Sequence, residues 1–127
     1  MERKIISTEK SPKAIGPYSQ GIIAGNFIFV SGQGAIDPIS NAYNPKSIEE
    51  ETDIALTNLK NILESAGSSL ANVVKTTVFL ACMDDFSKFN EVYSKYFQNN
   101  PPSRSCIEAS KLPKGFKVEI EAIALIG

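Results

Sequence analysis

A mixed β-sheet of six strands with two helices packed on one face, an α+β fold, is what this 127-residue sequence predicts. Three observations predict it. Six short runs are rich in apolar and β-branched residues. Two longer stretches repeat apolar residues at helical spacing. Their order (strand, strand, strand, helix, strand, helix, strand, strand) gives two βα units and flanking hairpins. That order belongs to sandwiches of the ferredoxin-like or chorismate-mutase-like kind. One domain over residues 1–127 is expected, long enough to bury a core.

Arg3 to Thr8 is the first extended run. Ser11 to Ser19 contains Pro12, Gly16 and Pro17 and predicts an irregular loop. Gln20–Ala24 and Phe27–Ser31 flank Gly25-Asn26, a hairpin turn signal because both residues accept positive φ. Gly32 to Pro45 is rich in Gly, Pro, Asn and Asp, and predicts a long loop. Ser47 with Glu50 fits a capping box, and the acidic Glu49, Glu50, Glu51 and Asp53 suit a helix N-terminus. Ala55, Leu59, Ile62, Leu63 and Ala66 share a face, and Gly67 ends the helix. Val73 to Ala81 predicts a central strand. Asp84 or Asp85 caps a second helix with Phe86, Phe89, Tyr93, Tyr96 and Phe97 on its apolar face. Asn99-Asn100-Pro101-Pro102 stops it. Ser103–Ala109 and Phe116–Ile126 are the last strands.

The last strand is apolar on both sides, with Val118, Ile120, Ala122 and Ala124 on one face and Ile123 and Leu125 on the other. The helices cover only one sheet face. The open face is therefore expected to be a subunit interface, sheet against sheet.

Composition excludes several classes of function. Apolar residues make up 43% and charged residues 21%, as in an ordinary globule, and the net charge is -1. No broad footprint for nucleic acid or an anionic membrane follows from that charge. No apolar run approaches the ~20 residues of a membrane helix. The N-terminal MERKIISTEK lacks a signal-peptide core, so a cytoplasmic protein is expected. Cys82 and Cys106 have no zinc-type spacing and are expected to be buried, reduced thiols. The chain has no histidine. Serine–histidine triads and histidine metal sites are thereby excluded, and neither metal nor cofactor is expected.

The chemistry-bearing residues lie toward the C-terminus. Pro102-Ser103-Arg104-Ser105-Cys106 sets an arginine and a cysteine on one face of an extended run. A guanidinium fork is the side chain best shaped to hold a carboxylate. Glu119 shares a strand face with Glu121, and a half-buried carboxylate there needs a partner or a water. Arg104 is the expected neighbour of Glu119. Tyr18 sits in the rigid Gly16-Pro17-Tyr18-Ser19-Gln20 loop. Ser31-Gly32-Gln33 ends a strand, and Gly32 is expected to let a substrate approach the backbone. Gly32 and Gly34 do not make a phosphate loop. An acidic metabolite pocket follows, without a nucleophile–base pair.

Seven collinear fragments, AIGPYSQGI at 14–22, FVSGQ at 29–33, NLKNILESAG at 58–67, VVKTTVFL at 73–80, FNEVYSKYF at 89–97, PPSRSCIEASKLPKG at 101–115 and VEIEAIA at 118–124, resemble the YjgF/RidA family of small imine and enamine deaminases. The resemblance covers essentially the whole chain. It implies a chorismate-mutase-like fold and a homotrimer with clefts between subunits. The implied reaction is hydrolysis of reactive 2-imino or 2-enamino acids, such as 2-aminoacrylate, to 2-keto acids and ammonia. Those intermediates escape from pyridoxal-phosphate-dependent dehydratases. By the same resemblance Arg104 binds the substrate carboxylate and Glu119, not Glu121, handles water. Tyr18 lines the cleft, and Ser31 and Cys106 sit at the ligand, Cys106 largely through its backbone. Two other readings share the resemblance: an endoribonuclease or translation inhibitor, and a trimer that binds 2-keto acids without turnover. The balanced charge and the lack of an aromatic–basic stripe weigh against the ribonuclease.

Overall fold

A computed structural model describes residues 2–127. Strands β1 (Arg3–Ile6), β2 (Gly21–Ala24), β3 (Phe27–Gln33), β4 (Val73–Leu80), β5 (Ser103–Glu108) and β6 (Val118–Leu125) form one sheet in the order β1-β2-β3-β6-β4-β5. Only β4 and β5 run parallel; the other pairs are antiparallel. Helices α1 (Ile48–Ser65) and α2 (Phe86–Tyr96) supply the second layer. The expected α+β sandwich is the observed one.

Strand alternation sets the core. Ile28, Val30, Val78, Leu80, Val118, Ile120, Ala122 and Ala124 are buried in one cluster with Leu56, Leu59, Ile62 and Leu63 of α1 and Phe89 and Tyr93 of α2. The opposite sheet face leaves Ile5, Phe27, Phe29, Ile107 and Leu125 exposed. No helix among the described residues is long and apolar enough to cross a membrane.

Local chemistry explains the helix ends. Ser47 Oγ accepts the Glu50 amide hydrogen at 3.1 Å and donates to Glu50 Oε1 at 3.0 Å, a variant of the expected capping box. At the other end Gly67, at φ 80°, donates to Glu64 O, and Ser68 donates to Leu63 O, the paired bonds of a Schellman cap. The start of α2 differs from expectation. Asp85 is at the N-cap position but its side chain makes no capping bond, because a short 3-10 turn, Met83–Asp85, leads directly into the helix. Val92 joins the buried face of α2, a position the aromatic repeat had masked.

Two further expectations need correction. Strand β1 ends at Ile6 rather than Thr8, whose amide instead donates to the Gln20 side chain at 2.7 Å. Cys82 is exposed rather than buried, since it follows the end of β4; both cysteines are free thiols, and Cys106 is half-buried. Glu51 lies in the first turn of α1, as expected. It is wholly buried and bonded to residues outside its helix.

Candidate functional site

The site is built around an irregularity in the β3–β6 ladder. Val30 pairs with Ala122 and Gln33 pairs with Ile120, so β3 has one more residue than β6 between these points. Such a bulge bends its strand and redirects the intervening residues. Here they are Ser31 and Gly32. Strand β3 thus continues to Gln33 through the residues expected to begin a loop.

Gly32 makes room for a side chain that the sequence does not name. A Cβ at this position would lie 2.5 Å from Glu119 Oε2 and 2.8 Å from its Cδ. The vacant side-chain space is filled by the Glu119 carboxyl, and the glycine itself still borders the cavity described below. Gly34 likewise makes room for the Phe116 ring, with a virtual Cβ 2.5 Å from it.

Glu119 is half-buried, and no lysine or arginine lies within 4 Å of it among the described residues. Burial pushes its carboxyl above the usual range, and the neighbouring charge of Glu121 adds to the rise. It borders a cavity of about 580 Å³ with Tyr18, Ser31, Gly32, Lys114 and Phe116. Tyr18 is 52% exposed at the rim. Its loop is held by the bulge, because Ser31 Oγ donates to Ser19 O at 2.6 Å and Ser31 N donates to Gln20 O at 2.9 Å. The serine hydroxyl is therefore committed to the wall. Gln20 extends the brace: its Nε2 donates to Pro12 O at 2.7 Å and to Thr8 O at 3.0 Å. Asn58 of α1 holds the far rim by donating to Gly34 O and Ile36 O. Gln20 and Asn58 went unnoticed in the sequence, where a buried amide looks like any surface amide.

Arg104 occupies a second place. It pairs with the buried Thr76 across β4–β5, so it points to the helix side of the sheet. Glu119 pairs with Phe79, which alternates with the buried Val78 and Leu80. Within one chain the arginine and the glutamate therefore face opposite sides of the sheet, with β4 between their strands. The expectation that they are neighbours fails for a single copy. The cause is register: each is one residue out of phase with the other relative to β4.

The guanidinium of Arg104 lies 4.8 Å from the Tyr93 ring centroid, 5.5 Å from that of Phe86 and 5.7 Å from that of Phe89. Its Nη1 donates to Asn90 Oδ1 at 2.8 Å. No carboxylate lies within 4 Å of it among the described residues. Asn90, Tyr93, Pro102 and Arg104 border a hollow of about 500 Å³. Cys106, on the same strand face, has its thiol pushed up by burial, against a smaller lowering by the Arg104 charge. A thiol so shifted is a weaker nucleophile at neutral pH. The aromatics of α2, read in the sequence as core alone, also form the seat of the guanidinium.

The chain thus presents two features on opposite faces of its sheet. One is a guanidinium with no carboxylate within 4 Å among the described residues. The other is a half-buried carboxyl bordering a cavity. The family described as Endoribonuclease L-PSP matches residues 8–126.

The chain belongs to that family.

A RutC family protein of Pyrococcus abyssi is 52% identical over 98% of each chain. The bovine protein named 2-iminobutanoate/2-iminopropanoate deaminase is 51% identical, over 98% of this chain and 91% of its own. Among solved structures, E. coli TdcF with bound serine superposes with a TM-score of 0.93 at 41% identity, covering 98% of this chain and 99% of that one. Another similar structure is described as a member of the Rid protein family. The YjgF/RidA resemblance read from the seven fragments is borne out by these matches.

Proposed function

We propose that this L-PSP family member hydrolyses reactive 2-imino and 2-enamino acids, such as 2-aminoacrylate, to 2-keto acids and ammonia. The observation that carries the reading is Arg104 on its aromatic seat, bonded to a neutral amide and left without a carboxylate. Half-buried glutamate Glu119 beside Gly32 supplies the complementary chemistry. The deaminase name of the bovine relative and the serine held by TdcF agree with an amino-acid-like ligand.

Because the two features face opposite sides of one sheet, the working site joins one half-site, Arg104 and Cys106 of one copy, to a second, Tyr18, Ser31, Gly32 and Glu119 of another. A homotrimer with three such clefts is the assembly proposed, with the open sheet face covered. Arg104 clamps the substrate carboxylate and fixes its plane. The enamine takes a proton at its terminal carbon and becomes an iminium, electrophilic at C2. Glu119 accepts a proton as water adds to C2, giving a tetrahedral carbinolamine. That proton passes to the amine nitrogen; as the C–N bond breaks, the hydroxyl gives its proton to Glu119, C=O forms and ammonia leaves the 2-keto acid, and Glu119 then returns to solvent the proton that the enamine had taken up. Positioning and general base catalysis worth about 100-fold suffice for a substrate that already hydrolyses unaided. The steps use neither metal nor cofactor.

The test is ammonia release from 2-aminoacrylate generated in situ by a serine or threonine dehydratase, with wild type beside Arg104→Ala. Acceleration by wild type alone is expected. Equal rates with and without wild-type protein overturn the reading. The family's endoribonuclease description makes RNA cleavage by the same preparation the competing outcome. It would be recognised by steep salt dependence.

A further inference from the structure

Glu51 is a charged side chain at 0% exposure that the proposed chemistry does not touch. It sits in the first turn of α1, yet its partners all lie outside that helix. Oε1 accepts the Lys117 amide hydrogen at 3.0 Å. Oε2 accepts from Tyr43 Oη at 2.8 Å and from the Lys46 amide at 3.1 Å, and Lys117 Nζ lies 3.5 Å away. Every group facing the carboxylate is a donor, which is the bonding an ionised carboxyl requires when it is removed from water.

The partners converge behind one wall of the Glu119 cavity. Tyr43 Oη is also 3.1 Å from Gly115 O. The Tyr43 ring meets Phe116 edge-on, with centroids 5.0 Å apart and planes at 76°. Phe116 and Lys114 line the cavity, and Phe116 is the ring for which Gly34 makes room. Lys117, held through its amide, lies two residues before Glu119. The turn needs holding: Lys114 has φ 56° and Gly115 has φ 80°, so a non-glycine residue sits in the left-handed region. An apolar side chain of similar volume would fill the Glu51 position without the desolvation cost of a buried charge. What it would not do is bind two backbone amides and a phenol from two separate segments, residues 43–46 and Lys117.

We propose that Glu51 is a positioning residue that fixes the Pro113–Phe116 wall and the start of β6, and so the placement of the Glu119 carboxyl. Its effect passes through Tyr43 and the Lys117 backbone, and it touches no reacting atom. The catalytic part of this inference rests on the deaminase reading; the structural part does not.

The experiment compares Glu51→Gln and Tyr43→Phe with wild type in two measurements, amide hydrogen exchange and imine hydrolysis. Glu51→Gln puts an amide donor among donors and loses at least one bond. Tyr43→Phe keeps the ring against Phe116 and removes only the hydroxyl, so it serves if the Glu51 variant fails to fold. Exchange at Phe116 and Lys117 is expected to rise about tenfold or more while β4 amides hold their wild-type rates. In turnover, kcat should fall roughly tenfold with KM unchanged, because the carboxylate seat lies in the other half-site. Unchanged exchange and unchanged kcat overturn the proposal. So does a uniform rise in exchange across the sheet with kcat and KM both altered, which is what a merely structural role gives. If wild type itself does not accelerate imine hydrolysis, the deaminase reading falls. Exchange then decides alone: a rise confined to residues 113–117 supports Glu51 as the wall's anchor, and any other pattern overturns it.

Discussion

Asn90 is a neutral partner for Arg104, and in the proposed deaminase that neutrality would leave the guanidinium charge free for the substrate carboxylate. A carboxylate at that position would bind the same nitrogen and neutralise it before substrate arrives. Asn90→Asp should therefore raise KM by roughly 10- to 100-fold, the worth of a charge-assisted bond, with little change in melting temperature. Steady-state kinetics beside thermal unfolding check this, and an unchanged KM would remove Arg104 from substrate binding. Glu119 gives a pH signature. The proposed base works deprotonated, and burial raises its pKa, so kcat/KM should fall on the acid side at a higher pH than for an ordinary carboxylate. The stability consequence has the opposite sign from that of a salt-bridged acid. A raised folded-state pKa means that stability is fully present below the unfolded pKa and is lost as pH rises through the folded one. Glu119→Gln should thus be more stable than wild type at neutral pH, with the advantage fading below about pH 4. Urea unfolding of both proteins across that range is the measurement; a variant less stable at neutral pH would show the carboxylate to be a structural group.

At the scale of elements, the bulge in β3 brings the site together, and it marks where the sequence stops being informative. Helix α1 was legible from its cap, its apolar period and Gly67, because each is local chemistry. The strands were legible from β-branched runs. The bulge was not, since two residues opposing one is a property of the pair of strands, and neither strand carries it alone. Gly32 was its trace, and its contact with Glu119 was hidden because a sequence does not say which side chain will fill the space. The register of β5 against β4 was hidden for the same reason, so Arg104 and Glu119 could be named but not placed on opposite faces. The buried braces Gln20, Asn58 and Glu51 were invisible because their partners lie outside their own elements and are mostly backbone atoms, which carry no mark in the sequence. Gly32→Ala tests the bulge directly. The new methyl would meet Glu119 within 3.0 Å at three atoms, so the carboxyl must move. Turnover should drop at least tenfold, with a stability loss of about 1–3 kcal/mol typical of overpacking. A fully active Gly32→Ala protein would show that Glu119 need not sit where it does.

At the scale of the whole molecule, the proposed assembly accounts both for the exposed apolar face and for Arg104 and Glu119 facing opposite sides of the sheet. Phe29, 44% exposed, and Leu125, 42% exposed, lie on the sheet face opposite the helices, the face toward which Glu119 also points. Covering that face with another copy removes apolar surface from water and brings a foreign side chain to the Glu119 cavity in the same step. The half-site arrangement makes a prediction that a site contained in one chain does not. Arg104→Ala and Glu119→Gln should each be inactive. Their mixed assemblies should not be, because a cleft that takes its arginine from a Glu119→Gln copy and its glutamate from an Arg104→Ala copy is intact. Random assembly from equal amounts gives intact clefts at about one quarter of positions, so unfolding and refolding the two variants together should restore roughly that share of wild-type turnover. Each variant refolded alone supplies the control for recovery. If the mixture stays as inactive as its components while both refold to native-sized assemblies, the two half-sites belong to different functions and the shared cleft must be abandoned.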